Sequence, residues 1–184
     1  VARELKWVHT ATAGVASILF DEMLQSDVIL TNSARIYGPT MAEHVLGGVL
    51  YFLRSFDKAV EGQAARSWEK PTLTGVDSPM RELAGSQVLI IGAGGIGSEI
   101  ALRFTAMGAH CTGFRRRPEL GAPPGFVRVL GFSPAALEEE LPGADIVILA
   151  APSTRETSGL LNAGRIALLR RGAIVVNVAR GALV

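Results

Sequence analysis

The residues best suited to chemistry form one run, Val88-Leu-Ile-Ile-Gly92-Ala-Gly94-Gly95-Ile96-Gly97, which leads straight into Ser98-Glu-Ile-Ala-Leu102. Gly92 permits a tight turn, Gly94 lets the backbone approach a pyrophosphate, and Gly97 allows a helix to pack close on the preceding strand. An anion held there meets free N–H groups and the positive end of the helix dipole. A glycine triplet alone is a weak signal, and a Gly-rich turn in another α/β fold would share it. The strand before it and the helix after it make a phosphate cradle the stronger reading. Gly92, Gly94, Gly95, Ile96 and Gly97 are therefore candidate cofactor-binding residues. An NAD-type site wants a carboxylate about 20 residues further on for the ribose hydroxyls. Here Cys111-Thr-Gly-Phe114 runs into Arg115, Arg116 and Arg117, with Arg115 eighteen residues after Gly97 and no Asp or Glu in that place. Guanidinium groups bind phosphate by charge-assisted, often bidentate hydrogen bonds. Arg115 and Arg116 thus point to the 2′-phosphate of NADP, with NAD as the alternative cofactor and a solvated arginine surface as the other reading of the run.

Other chemistry-bearing side chains are sparse. No His, Cys or carboxylate cluster has metal-ligand spacing, and Cys111 lies in an apolar strand, so no metal site and no thiol nucleophile is expected. His44 falls in an apolar helix and reads as a hydrogen-bonded structural residue. His9 and His110 lie on strand-like segments with no carboxylate motif beside them.

The elements that must position the cradle are short, β-branched apolar runs at Val28 to Leu30, Val88 to Ile91, Ile146 to Ala150 and Ile174 to Val176. Runs without polar alternation suit strands covered on both faces, as in parallel sheets. Helical spacing lies between them, at Ile96 to Met107 and in the Pro-opened stretch Pro134 to Leu141. Strand alternating with helix implies an α/β fold with a doubly wound parallel sheet. Pro39 to Phe56 reads as a helix apolar nearly all round, expected to be buried on more than one side as a bridge between lobes or part of a subunit interface. From Asp57 to Pro79 the chain turns polar, with Pro71, Gly75 and Pro79, as a linker or surface excursion would. The expected organisation is a lobe remnant at 1–38, a bridging helix at 39–56, a linker at 57–80 and a dinucleotide-binding domain at 81–184. Val184 follows closely on a strand and Val1 opens near a strand-like Leu5 to Val8, so both ends are expected to be cut from something longer.

Eighteen Lys and Arg against seventeen Asp and Glu leave a formal charge of +1, which gives no bulk basic surface for nucleic acid. Hydrophobic residues make up 48% and mean hydropathy is +0.32. No apolar run approaches the roughly 18 residues that span a bilayer, so this content is expected to form a core, with no membrane partner. A single cysteine and the lack of a signal-like opening make the cytoplasm the default compartment.

Further motifs stand in order along the chain: Leu5-Lys-Trp-Val-His-Thr-Ala-Thr-Ala13-Gly14-Val15, Ala42-Glu43-His44, Glu82-Leu-Ala-Gly85, Ala144-Asp-Ile-Val-Ile-Leu-Ala150-Ala151-Pro152-Ser-Thr154-Arg-Glu-Thr157, and Asn177-Val178-Ala179-Arg180-Gly181. With the cradle, they resemble the D-isomer-specific 2-hydroxyacid dehydrogenases, especially the glyoxylate and hydroxypyruvate reductase branch. The resemblance implies a Rossmann-type NAD(P)-binding domain with part of a flavodoxin-like substrate lobe, in a homodimer. It implies that Arg180 pairs with the substrate carboxylate and polarises its keto oxygen, tasks that suit a permanently charged fork. A salt-bridged residue at a strand end is the plainer reading of Arg180. Backbone N–H groups of Ala13 and Gly14 would hold the same carboxylate, and Ala151, Pro152, Thr157, Val178 and Ala179 would line the cofactor. The family completes its site with a Glu and an acid/base His farther along than Val184, and none of the three histidines here replaces it. Where the family often has Asp after the Gly-Val pair, this chain has Ala16. The implied activity is reduction of a small 2-oxo acid to a D-2-hydroxy acid by NADPH. The other reading is an NAD(P)-sensing, corepressor-like protein that keeps the fold without catalysis, since fold alone does not separate the two.

Overall fold

The structure, a computed structural model, describes residues 4–15, 17–68, 73–74 and 78–184. Ala16 and the parts of the polar excursion at 69–72 and 75–77 lie outside the described residues. The chain opens with β1 (Trp7–Thr10), α1 (Asp21–Leu24) and β2 (Ile29–Asn32), and the two strands pair in parallel as a sheet of their own. Helices α2 (Gly38–Leu53) and α3 (Phe56–Ala64) follow. The larger unit then runs β3 (Gln87–Ile91), α4 (Gly95–Ala106), β4 (His110–Arg115), β5 (Arg128–Gly131), α5 (Pro134–Glu140), β6 (Ile146–Leu149), α6 (Ala163–Ile166) and β7 (Ile174–Asn177). Its five strands are all parallel in the order β5-β4-β3-β6-β7. The order reverses between β3 and β6, and a sheet wound outward from that point opens a crevice at its carboxyl ends.

The unbroken apolar runs follow from this geometry. Val88 and Ile90 of β3, with Ile146 and Ile148 of β6, pack into a core that also takes Ile100 and Phe104 of α4. Leu89 and Ile91, with Val147 and Leu149, face the opposite layer and meet Leu137 and Leu141. Neither face of these strands meets water, so no polar alternation survives. Each buried side chain of this size contributes about 1.5–3 kcal/mol by leaving water.

The apolar helix is shorter and more one-sided than its spacing suggests. Its buried stripe is Gly38, Ala42, Val45, Val49 and Leu53, which packs on α4, while Phe52 and Tyr51 remain outward. It stops at Leu53 because buried Ser55 takes a left-handed φ of 52°, and Phe56 then starts α3. The opening of the polar stretch is therefore helical. Strand β5 was not legible in the sequence; it is a four-residue edge strand that begins on Arg128. Among the described residues, no helix is long and apolar enough to cross a membrane.

Candidate active site

The glycine run turns sharply between β3 and α4. Gly92 has a φ of 113°, and a Cβ there would lie 2.6 Å from Ala150 C and Ala151 N, at the mouth of the neighbouring strand. The N–H groups of Gly92 and Ala93 both donate to the Phe114 carbonyl at 2.9 Å, which fastens the turn to β4. A Cβ on Gly97 would collide with the Gly92 carbonyl oxygen. Only glycine lets α4 start this close to the strand. Gly94 differs: a Cβ there would meet nothing within 4 Å among the described residues, so its backbone faces open space. A dinucleotide pyrophosphate fits this arrangement, with room over Gly94 and the amino end of the 12-residue α4 behind it.

A cleft of about 520 Å³ opens at the carboxyl ends of β3, β4 and β6, within the range of small-molecule sites. It is lined by Gly92, Gly94, Arg115, Arg116, Ala151, Pro152 and Thr157, so seven residues singled out from the sequence converge there. Gly95, Ile96 and Gly97 form the first turn of α4 and do not line it, while Val178 and Ala179 pack on the two core layers beyond β7. Arg115 donates to the Gly121 carbonyl at 2.9 Å, which orders the arginine turn. Phe132, just past β5, also lines the cleft and was not named from the sequence; Thr154 and Glu156, in the loop after β6, line it too, and no individual role was read for them from the sequence. The Thr154 hydroxyl donates to Glu156 at 2.7 Å. This bond, the residue's own backbone N–H and the nearby charges of Arg116 and Arg155 hold the Glu156 carboxyl below the usual carboxylate range. A smaller pocket, about 180 Å³, lies at the opposite ends of the strands beside the Arg128–Glu140 ion pair and shares no residue with the cleft.

Arg180 lies after β7, where the Asn177 side chain closes a turn by donating to the Arg180 carbonyl at 2.8 Å and accepting from the Ala179 N–H at 3.0 Å. Its guanidinium reaches the loop after β1: a Cβ on Gly14 would lie 2.5 Å from an Arg180 Nη. Among the described residues Arg180 has no carboxylate partner, so the salt-bridge reading does not describe it. The loop itself is held through its carbonyls. Asn32 donates to Ala13 at 2.7 Å, Thr12 to Gly14 at 2.8 Å and Tyr37 to Ala11 at 2.9 Å. The N–H groups of Ala13 and Gly14 have no partner among the described residues. One cation and two free donors thus meet where a carboxylate could bridge them.

His9 and His110 lie on β1 and β4, as their strand-like segments suggest, and His44 departs from expectation. His9 bonds Thr31 Oγ1 at 2.9 Å and Ser33 Oγ at 3.2 Å. His44 is not the hydrogen-bonded structural residue read from the sequence. It sits one position off the buried stripe of α2, is exposed, and makes no side-chain hydrogen bond among the described residues. His110 is exposed at the start of β4. Burial pushes the Cys111 thiol up from its ordinary pKa, so it holds little thiolate near neutrality.

Residues 46–184 match the family described as D-isomer specific 2-hydroxyacid dehydrogenase, NAD binding domain. D-3-phosphoglycerate dehydrogenase of Bacillus subtilis (strain 168) is 33% identical over 180 residues, covering 98% of this chain and 33% of that protein. A D-isomer specific 2-hydroxyacid dehydrogenase family protein from Aeromonas salmonicida subsp. salmonicida A449 superposes with a TM-score of 0.83 at 35% identity, covering 100% of this chain and 55% of that one. A D-isomer specific 2-hydroxyacid dehydrogenase from Xanthobacter autotrophicus Py2, solved with NADPH and MES, gives 0.81 at 33% identity, covering 99% and 54%. An NADPH-dependent glyoxylate/hydroxypyruvate reductase from Sinorhizobium meliloti, solved with NADP and sulfate, gives 0.78 at 29% identity, covering 97% and 54%. The chain spans about a third of the length of the curated relative and about half of each solved chain. By its fold, its glycine cradle and these matches, the chain belongs to the D-isomer specific 2-hydroxyacid dehydrogenase family.

Proposed function

We propose that this chain carries the dinucleotide cleft and one wall of the substrate site of an enzyme that reduces a small 2-oxo acid to a D-2-hydroxy acid with NADPH. Glyoxylate and hydroxypyruvate are the proposed substrate class. The observation that carries the reading is the approach of the Arg180 guanidinium to Gly14, beside two N–H groups that have no partner among the described residues.

In this reading the Ala13 and Gly14 N–H groups and one edge of the Arg180 fork grip the substrate carboxylate. The rest of the fork faces the keto oxygen and stabilises the negative charge that develops there. The bound nicotinamide supplies the hydride. The Gly92 to Gly97 turn holds the pyrophosphate, and Arg115 and Arg116 hold the 2′-phosphate. Protonation of the alkoxide falls to the His and Glu that the family resemblance places farther along than Val184. Two similar proteins solved with NADPH or NADP support the cofactor, and the one named as a glyoxylate/hydroxypyruvate reductase supports the substrate class.

The test is a survey with the intact protein, following NADPH and NADH consumption against glyoxylate, hydroxypyruvate, pyruvate and 3-phosphohydroxypyruvate. Preferred use of NADPH with glyoxylate or hydroxypyruvate is expected. Turnover of the phosphorylated substrate alone would move the protein toward its phosphoglycerate dehydrogenase relatives. Tight dinucleotide binding with no turnover at all would favour a sensing role.

A further inference from the structure

Arg35, in the turn between β2 and α2, has a left-handed backbone with a φ of 76°. A residue with a Cβ adopts that conformation at a cost, so the surrounding structure must hold it there. The turn sets the arginine stem on the opening residue of α4: a Cβ on Gly95 would lie 3.0 Å from Arg35 Cγ and 3.7 Å from its Cα and Cβ. The remaining bonds to the guanidinium give it reach over the first turn of that helix. Gly94, immediately before, borders the open cleft.

Arg103, Arg128, Arg165 and Arg170 each pair with a carboxylate. Arg35 is exposed and makes no ion pair or side-chain hydrogen bond among the described residues. The nearest acid on α4, Glu99, is already bonded to Arg103 at 2.6 Å. A free cation therefore stands against the positive end of a helix dipole, a repulsive arrangement unless an anion lies between them.

We propose that Arg35 is a phosphate-binding residue of the cleft, giving the dinucleotide pyrophosphate the side-chain cation that the glycine turn lacks. This rests on the reading of the cleft as a dinucleotide site. Arg115 and Arg116 are assigned to the 2′-phosphate and so discriminate between cofactors. Arg35 serves the pyrophosphate, which NADPH and NADH share, so its loss affects both equally.

Arg35→Gly is the informative variant, since glycine takes a φ of 76° without strain and the change removes the cation while easing the backbone. In the intact protein its Tm is expected to equal or exceed that of the wild type. Its dissociation constants for NADPH and NADH, from fluorescence titration, are expected to rise by a common factor of about 10, the scale of one charge-assisted hydrogen bond. Arg35→Lys should recover part of the loss for both. Affinities within about twofold of wild type in Arg35→Gly would overturn the proposal, and so would a loss confined to NADPH, which would put Arg35 on the 2′-phosphate. A wild-type protein that binds neither dinucleotide would instead overturn the reading of the cleft, and this inference with it.

Discussion

Gly14→Ala isolates the contact on which the proposed substrate site depends. The new methyl would stand 2.5 Å from an Arg180 Nη and 3.6 Å from Cζ. Ordinary van der Waals contact begins near 3.4 Å, so the guanidinium must withdraw by roughly 1 Å. Displacement on that scale in a positioned catalytic group costs about 10²-fold in rate, or ~2.7 kcal/mol of transition-state stabilisation. The fold should hardly notice. Gly14 is not among the positive-φ glycines, its contact is the free end of a flexible side chain, and its N–H is retained. Alanine at such a position removes unfolded-state freedom, so Tm should stay within about 2 °C of wild type or rise. Steady-state NADPH consumption with glyoxylate and hydroxypyruvate should show kcat/KM lowered about 100-fold, while fluorescence titration shows the NADPH dissociation constant unchanged. Because the substitution works through Arg180, Gly14→Ala combined with Arg180→Ala should cost no more than Arg180→Ala alone. A kcat/KM within about threefold of wild type, or strictly additive effects in the double variant, would refute the reasoning.

Replacing Arg115 and Arg116 together by Ala should raise the NADPH dissociation constant far more than that of NADH, and equal losses in parallel titrations would remove the 2′-phosphate assignment. Gly97→Ala would press a methyl into the Gly92 carbonyl and against Ile90, for which a cost of about 1–3 kcal/mol or more is expected, with a lower Tm and loss of NADPH and NADH binding alike. An unshifted Tm with intact binding would show that α4 can move away from β3 without penalty.

The sheet was legible because its central strands carry the signature of two-sided burial. Val88 to Ile91 and Ile146 to Leu149 alternate between the two cores, so every position is apolar, and the cradle glycines sit between strand and helix where backbone clearance demands them. Edges and ends were harder. Strand β5 has four residues and one polar opening position, too little for a period of two to show. The end of α2 depends on Ser55 taking a left-handed turn, which its residue type does not announce. His44 was misread because the apolar residues around it conceal which stripe of α2 meets α4. The site was legible only in parts. Local spacing identifies a phosphate cradle and an arginine run, yet the meeting of Arg180 with Gly14, and of Arg35 with Gly95, joins segments distant in the chain. Such contacts come from the winding of the sheet and not from any window of sequence.

The central claim is that Arg180 anchors and polarises the substrate, and Arg180→Ala in the intact protein tests it most directly. Loss of a charge-assisted hydrogen bond to the carboxylate and to the developing oxyanion is expected to lower kcat/KM for the preferred 2-oxo acid by roughly 10² to 10⁴, or about 3–5 kcal/mol. NADPH affinity should stay near wild type, because the Arg180 guanidinium reaches toward Gly14 and not toward the glycine turn or the arginine run. Arg180→Lys should restore only part of the rate, since an ammonium cannot offer two parallel donors. Reduction of the same acid by Arg180→Ala at near wild-type kcat/KM would contradict the account.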